Sequence, residues 1–224
     1  MAPTTNAPCQ LIDLETWPRT RHFNLFRHQS FPYLAVTVDV EVGHLLRFAR
    51  TGSVAFFDAV MFCVLHAVNE IEEFRYRLVG EEVRLYDQVG VSSTLLAADG
   101  LFRFAQCMYD LDFQAFAKAS REAIAAAQET SELLADPRPD LIYVTCLPWL
   151  RFTHMTHPAD AATHDSIPRF AWGRFVSMGE SALMPLNVQV HHGFVDGVHL
   201  GRFFDRFAAC ADQLAASAQS IRSV

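Results

Sequence analysis

The stretch His191-His192-Gly193-Phe194-Val195-Asp196-Gly197 sets an imidazole and a carboxylate four residues apart around a glycine. A neutral imidazole titrates near physiological pH, so it can take the proton of an attacking hydroxyl and later return it to a leaving group. Where the attacked group is a thioester, that proton traffic is acyl transfer, and a positioned general base contributes roughly 10²–10⁴-fold in rate. The aspartate need not touch the proton. It can fix the loop instead, through an arginine or through backbone N–H groups.

Two elements must hold these side chains. Leu186, Val188 and Val190 alternate with Asn187 and Gln189, which predicts a half-buried strand running into the histidines. Leu200, Phe203, Phe204, Phe207 and Leu214 recur at three- and four-residue spacing, which predicts an amphipathic helix from about Val198. Gly193 and Gly197 permit backbone angles and close approaches that a Cβ would resist. On strand alternation His191 faces away from His192 and reads as structural.

Upstream, residues 33–40 read as a strand and residues 54–71 as a strongly apolar helix with Asn69 at its exit. Four strands follow, at 75–79, 83–88, 91–97 and 101–108, with Gly80-Glu81 and Asp99-Gly100 as turns, the latter a good hairpin signal. Residues 113–134 are alanine-rich and helical, closed by Pro137 and Pro139. Strands at 141–147, 169–177 and 183–191 precede the last helix. Mixed strands with interspersed helices indicate an α/β or α+β two-layer sandwich.

At 224 residues and 51% hydrophobic content, the chain suits one domain over residues 1–224 with a sizeable core. Nineteen phenylalanines suggest aromatic-rich packing, and a net charge of -7 gives no basic patch for nucleic acid. The first ten residues lack the pattern of a secretory signal, and no apolar run reaches membrane-spanning length. The five cysteines, Cys9, Cys63, Cys107, Cys146 and Cys210, are widely spaced and odd in number. Reduced thiols in a cytoplasmic protein are therefore expected.

The chain resembles the chloramphenicol acetyltransferase family over nearly its whole length. Two adjacent histidines, three residues, then Asp-Gly is the family's motif, here His191-His192 to Asp196-Gly197. Trp17-Pro18-Arg19-Thr20-Arg21-His22-Phe23 matches its N-terminal tryptophan, arginine and His-Phe pair. Ala67-Val68-Asn69, Pro148-Trp149, Leu183-Met184-Pro185-Leu186, His199 and Gly201-Arg202 are further landmarks. The resemblance implies a mixed β-sheet with helices packed on it, acetyl-CoA as co-substrate without a metal, a small-molecule hydroxyl acceptor with chloramphenicol the leading one, and a role in antibiotic resistance. It also implies a homotrimer with each active site at a subunit interface, so isolated protomers would be inactive. His192 takes the place of the general base, and Arg19 and Asp196 that of a buried salt bridge holding the site.

Departures from the family pattern concern the pockets. His154 stands where the family has a serine whose hydroxyl stabilises the oxyanion. An imidazole N–H can donate there equally, and Thr153 supplies the hydroxyl if the alignment slips by one, although strand alternation would turn it away. Ala171 replaces a threonine, and Arg174-Phe175 replaces lysine-tyrosine near coenzyme A, where Arg174 can still meet a phosphate. Ala55-Phe56-Phe57 lacks a lysine found in many members. Around the acceptor, Phe26 replaces a tyrosine, and within Phe102-Arg103-Phe104 the bulky Phe104 stands about where a small alanine is usual. These changes leave open a non-catalytic ligand-binding homologue, an acyltransferase with another acceptor, or one that uses a carrier-protein thioester. His154, His157 and His164 with Asp160 and Asp165 form a conceivable metal set, but His-x-x-His spacing is common by chance and a metal-free reading is preferred.

Overall fold

The computed structural model describes residues 7–52, 54–130, 133, 138–160 and 165–220, without side-chain detail at 218–220. Its centre is a mixed sheet in the order β2-β10-β8-β7-β5-β6, formed by Tyr33–Glu41 (β2), Ser181–His191 (β10), Arg169–Gly173 (β8), Leu141–Leu147 (β7), Gly90–Leu96 (β5) and Phe102–Cys107 (β6). The short strand Val176–Met178 (β9) pairs with the start of β10. Pairs β5/β7 and β7/β8 are parallel, while β10 is antiparallel to both its neighbours β2 and β8. A second, antiparallel sheet is built from Cys9–Leu11 (β1), Glu82–Tyr86 (β4) and Tyr76–Val79 (β3).

Among the described residues, five α-helices complete the fold: Thr20–Phe26 (α1), Gly43–Gly52 (α2), Phe56–Asn69 (α3), Phe113–Glu129 (α4) and Gly197–Ser220 (α5). Helices α2, α3 and α5 pack together, and α4 bridges α3 and β6. The expected sheet-and-helix layering is thus present.

Register explains the division of the sheet into two faces. Val36, Val188, Phe170 and Val144 lie side by side across four strands and belong to the hydrophobic core or pack against it. One residue along, Thr37, Asn187, Ala171 and Thr145 form the neighbouring row, which side-chain alternation turns to the other face. Ala35, Gln189, Arg169, Tyr143 and Ser92 make a second row on that face. The polar face of β10 is not solvated, contrary to expectation. Asn187 and Gln189 are 0% and 1% exposed, because the segment after β7 folds over them. Asn187 Nδ2 donates to Met155 O at 3.0 Å, and Gln189 exchanges hydrogen bonds with the His157 backbone at 2.9 and 3.3 Å.

Other differences have local causes. Helix α2 was not anticipated, although Leu45, Phe48 and Ala49 bury one stripe of it. The expected strand at 169–177 breaks after Gly173, where a Cβ would lie 2.5 Å from Leu150 O and 3.0 Å from Phe152. Helix α4 stops at Glu129, with Thr130 extended; Leu134 and Pro137 lie outside the described residues. The Asp99-Gly100 hairpin forms as expected, with Gly100 at φ 82 and Ala97 N–H donating to Leu101 O. All five cysteines are free, and among the described residues no helix is long and apolar enough to cross a membrane.

Candidate functional site

Strand β10 ends at His191, and the turn that follows carries His192 into α5. Phe194 and Val195 N–H groups both donate back to His191 O, which tightens the turn, and Asp196 O receives the first N–H groups of α5. The turn needs glycine at one position only. A Cβ on Gly193 would approach the His191 ring to 2.9 Å and Phe23 to 3.2 Å, whereas around Gly197 the space is open. His191 itself is 2% exposed, its Nδ1 accepts from Gly193 N–H at 3.1 Å, and it packs beside Phe23 and Phe194. It is a scaffold residue, as alternation suggested.

The His192 ring is half-buried and lies stacked on Phe26 at 4.2 Å and 20°. Its Nδ1 is 3.1 Å from Val195 O and 3.4 Å from Asp196 Oδ1. A carbonyl oxygen only accepts, so the Nδ1 proton points at it, which in the neutral ring leaves the lone pair on Nε2. Phe26 comes from α1, and Arg19 sits at the same helix's N-cap. Arg19 grips Asp196 through two parallel bonds of 2.8 and 2.7 Å and donates from Nε to Gly193 O at 3.0 Å. One guanidinium therefore ties both ends of the turn to α1. Trp17 anchors the approach to α1, its Nε1 donating to Tyr76 OH at 3.2 Å.

The pair is less buried than expected, with side chains 14% and 33% exposed for Arg19 and Asp196. Arg19's hydrogen bonds hold the Asp196 carboxyl below the ordinary carboxylate value. His199 caps the arrangement: its Nδ1 accepts from Asp196 N–H at 2.9 Å, its Nε2 lies 3.3 Å from Glu73, and burial lowers its pKa. With the folded pKa of Asp196 below its unfolded value, the pair's stabilisation is complete above about pH 3.9 and fades as pH falls through the folded value. Asp196→Asn should therefore cost about 1–3 kcal/mol at neutral pH. That difference in unfolding free energy should shrink toward zero in acid. A gap equal at both pH extremes would rule out the charge pairing as its source.

A cavity of about 400 Å³ opens on the polar face of the sheet, with Phe102 and Phe104 on one side and His157 and Pro158 on another. Its floor includes Ser92, Thr94, Tyr143, Thr145 and Arg169, the rows set by strand register. Thr94 and Thr145 hydroxyls are 2.6 Å apart. Arg169 pairs with Asp165, and its guanidinium lies 5.3 Å from the Tyr143 ring centroid. Phe102 and Phe104, expected around the acceptor, both line this cavity and are in T-shaped contact at 5.5 Å. The floor was missed, although Ser92/Thr94 and Tyr143/Thr145 repeat at two-residue spacing within apolar strands. His192 and Phe26 are not among the residues lining this cavity.

Thr153 and His154 are exposed in the irregular segment between β7 and β8. Strand alternation therefore does not decide between them. The segment is anchored on both sides of His154, by the Arg151–Asp39 ion pair at 2.8 Å and by Met155 O on Asn187. Arg174 is exposed at the β8–β9 corner, its N–H donating to Leu150 O at 2.6 Å. Phe175 meets Phe56 edge-on at 5.8 Å, so two segments that depart from the family pattern are in mutual contact. Of the conceivable metal set, His157 is bonded to Asn187 and Asp165 is engaged by Arg169, while His164 lies outside the described residues. No group of three or more potential ligands gathers among the described residues.

The family model for chloramphenicol acetyltransferase matches residues 8–208. A chloramphenicol acetyltransferase of Proteus mirabilis is 26% identical over 207 residues, covering 91% of this chain and 94% of that protein. One of Streptomyces acrimycini is 29% identical over 195 residues, covering 85% and 89%. Among solved structures, a chloramphenicol acetyltransferase superposes with a TM-score of 0.85 at 31% identity, covering 91% of this chain and 100% of that one. A probable dihydrolipoamide acetyltransferase from Listeria monocytogenes shares the fold at a TM-score of 0.60 and 14% identity.

Proposed function

The chain belongs to the chloramphenicol acetyltransferase family and is an acyltransferase, and from that premise we propose that it moves an acetyl group from acetyl-CoA to a hydroxyl of a small molecule, with His192 as general base and chloramphenicol the leading acceptor. The observation that carries this reading is the fixed tautomer of His192: Nδ1 held by Val195 O, the ring clamped on Phe26, and Nε2 left with its lone pair. Nε2 takes the proton as the acceptor oxygen attacks the thioester carbonyl carbon. His154, or the Thr153 hydroxyl, donates to the oxyanion; when the carbon–sulfur bond breaks, His192 returns the proton to the thiolate sulfur. Arg19 and Asp196 position the turn and exchange no proton.

Acetyl-CoA fits the residues at the β8–β9 corner, where the exposed Arg174 guanidinium suits a phosphate and Phe175 with Phe56 offers an apolar surface. The acceptor occupies the cavity of Phe102 and Phe104. We place the protein in the cytoplasm as a single-domain homotrimer in which His192 of one protomer serves the cavity of the next. Two observations support that arrangement. His192 is not part of the cavity's lining in its own chain, and large apolar side chains such as Leu25, Phe31, Val38, Trp149 and Leu150 stand exposed on the single chain.

Two assays test the proposal. Thiol release from acetyl-CoA in the presence of chloramphenicol and other alcohols is the first; release with an acyl carrier thioester but not with acetyl-CoA would overturn the donor. Mixing inactive His192→Ala protomers with protomers closed at the cavity by Thr145→Trp is the second. Refolded mixtures should regain activity, since some interfaces pair an intact histidine with an intact cavity. No recovery would count against a shared site.

A further inference from the structure

We propose that Asn187 is a positioning residue for acyl transfer: from the middle of the sheet it clamps the segment after β7 and so fixes the oxyanion donor, His154 or Thr153, that this segment presents. This rests on the acyl-transfer reading above, in which that donor stabilises the developing negative charge. Thr153 and His154 are exposed and belong to no strand or helix, so their place is set by what holds the backbone beside them. On one side stands the Arg151–Asp39 ion pair at 2.8 Å, with side chains 39% and 40% exposed. Water screens such a pair, and it contributes little to holding a chain. On the other side the ties are buried. Asn187 is 0% exposed, and its Nδ2 donates to Met155 O at 3.0 Å, one residue beyond His154. Nδ2 also donates to Val36 O and Thr37 Oγ1 at 3.1 and 3.0 Å, which identifies it as the nitrogen and leaves Oδ1 as an acceptor. His157 Nε2 lies 2.9 Å from that Oδ1, so Nε2 carries a proton and the tautomer is set.

Gln189 completes the clamp. It is 1% exposed, its Oε1 accepts the His157 N–H at 2.9 Å, and its Nε2 donates to His157 O at 3.3 Å. Side chains two apart on a strand point to one face, so both amides reach the segment from β10, which is itself paired on either side by β2 and β8. Without these amides, backbone groups of the segment would be buried unpaired, and the segment would lift toward water to satisfy them. The position matters because an oxyanion donor acts only within hydrogen-bond reach of the reacting oxygen, and a misplacement of about 1 Å can cost on the order of 100-fold in rate. His157 and Pro158 line the cavity, so the clamp seats the same segment against the cavity's wall. Asn187 is not among the lining residues, and its effect on the reaction passes through the donor it holds.

The test is a set of double-mutant cycles read by steady-state kinetics with acetyl-CoA and chloramphenicol, or with whichever alcohol is turned over fastest. Asn187→Leu keeps the volume and removes the amide, and kcat should fall by about tenfold or more with acceptor KM little changed. The same substitution is then made in His154→Ala and in Thr153→Val. In the background that has lost the oxyanion contact it should cost less than about twofold in kcat, since nothing is left to position. Gln189→Leu cuts the other half of the clamp and should show the same collapse, so the cycle can still be closed where Asn187→Leu fails to fold. An effect that multiplies in full in both backgrounds marks a residue that serves only the fold and overturns the proposal. A rise in acceptor KM with kcat unchanged overturns it as well. Wild-type protein that releases no thiol from acetyl-CoA with any alcohol removes the acyl-transfer reading and the proposal with it, whereas turnover with multiplying losses removes the proposal alone.

Discussion

Replacing His192 by alanine should lower kcat for acetyl transfer by roughly 10²–10⁴-fold while the protein stays folded. The ring touches little that the fold depends on: it sits half-buried at the end of β10, stacked on Phe26 and bonded to the carbonyl of Val195. The ties that hold the turn run elsewhere, from Arg19 to Asp196 and Gly193 O and from His199 to Asp196 N–H. Stability should therefore fall by no more than about 1 kcal/mol. Acceptor KM should change little, because the lost interaction is the proton transfer of the transition state. Steady-state kinetics with a thermal melt on the same preparation separates these effects. A variant that keeps wild-type kcat would remove His192 from the mechanism.

His154→Ala carries the second large effect. If its N–H donates to the oxyanion, kcat and kcat/KM should fall together by roughly 10²–10³-fold. His154→Ser should recover part of the loss by restoring a hydroxyl donor at the same place. The side chain is exposed, so neither change should unfold the protein. Its backbone position is nevertheless set, between the Arg151–Asp39 pair and the Asn187 contact to Met155 O. Should His154→Ala instead raise acceptor KM with kcat unchanged, the ring is a pocket wall and Thr153 becomes the first candidate for the donor.

Much of this arrangement was legible in the sequence because its chemistry is local. The alternation of Leu186, Val188 and Val190, the helical spacing from Leu200 to Leu214 and the turn between them are contiguous, and β10, the turn and α5 formed as read. Arg19 lies far from that turn in sequence, and it was the family resemblance that tied it there; Phe26, read as a residue around the acceptor, is brought onto the His192 ring by the packing of α1. What stayed hidden depends on register and on backbone approaches between distant segments. Ser92, Tyr143 and Arg169 share a cavity floor only because three strands align in one particular register. His157 read as one of several scattered histidines, since nothing local shows that Asn187, thirty residues on, fixes its tautomer. The break after Gly173 follows from the approach of Leu150 O, which leaves no trace in residue periodicity.

The most direct test of the account is to incubate the protein with isotope-labelled acetyl-CoA and chloramphenicol and to follow both products, the acceptor by mass spectrometry and the free thiol by colour. The account predicts one labelled acetyl ester per thiol released, and loss of both signals together in His192→Ala. Chloramphenicol bound but returned unmodified with no thiol released, or equal ester formation by wild type and His192→Ala, would contradict it.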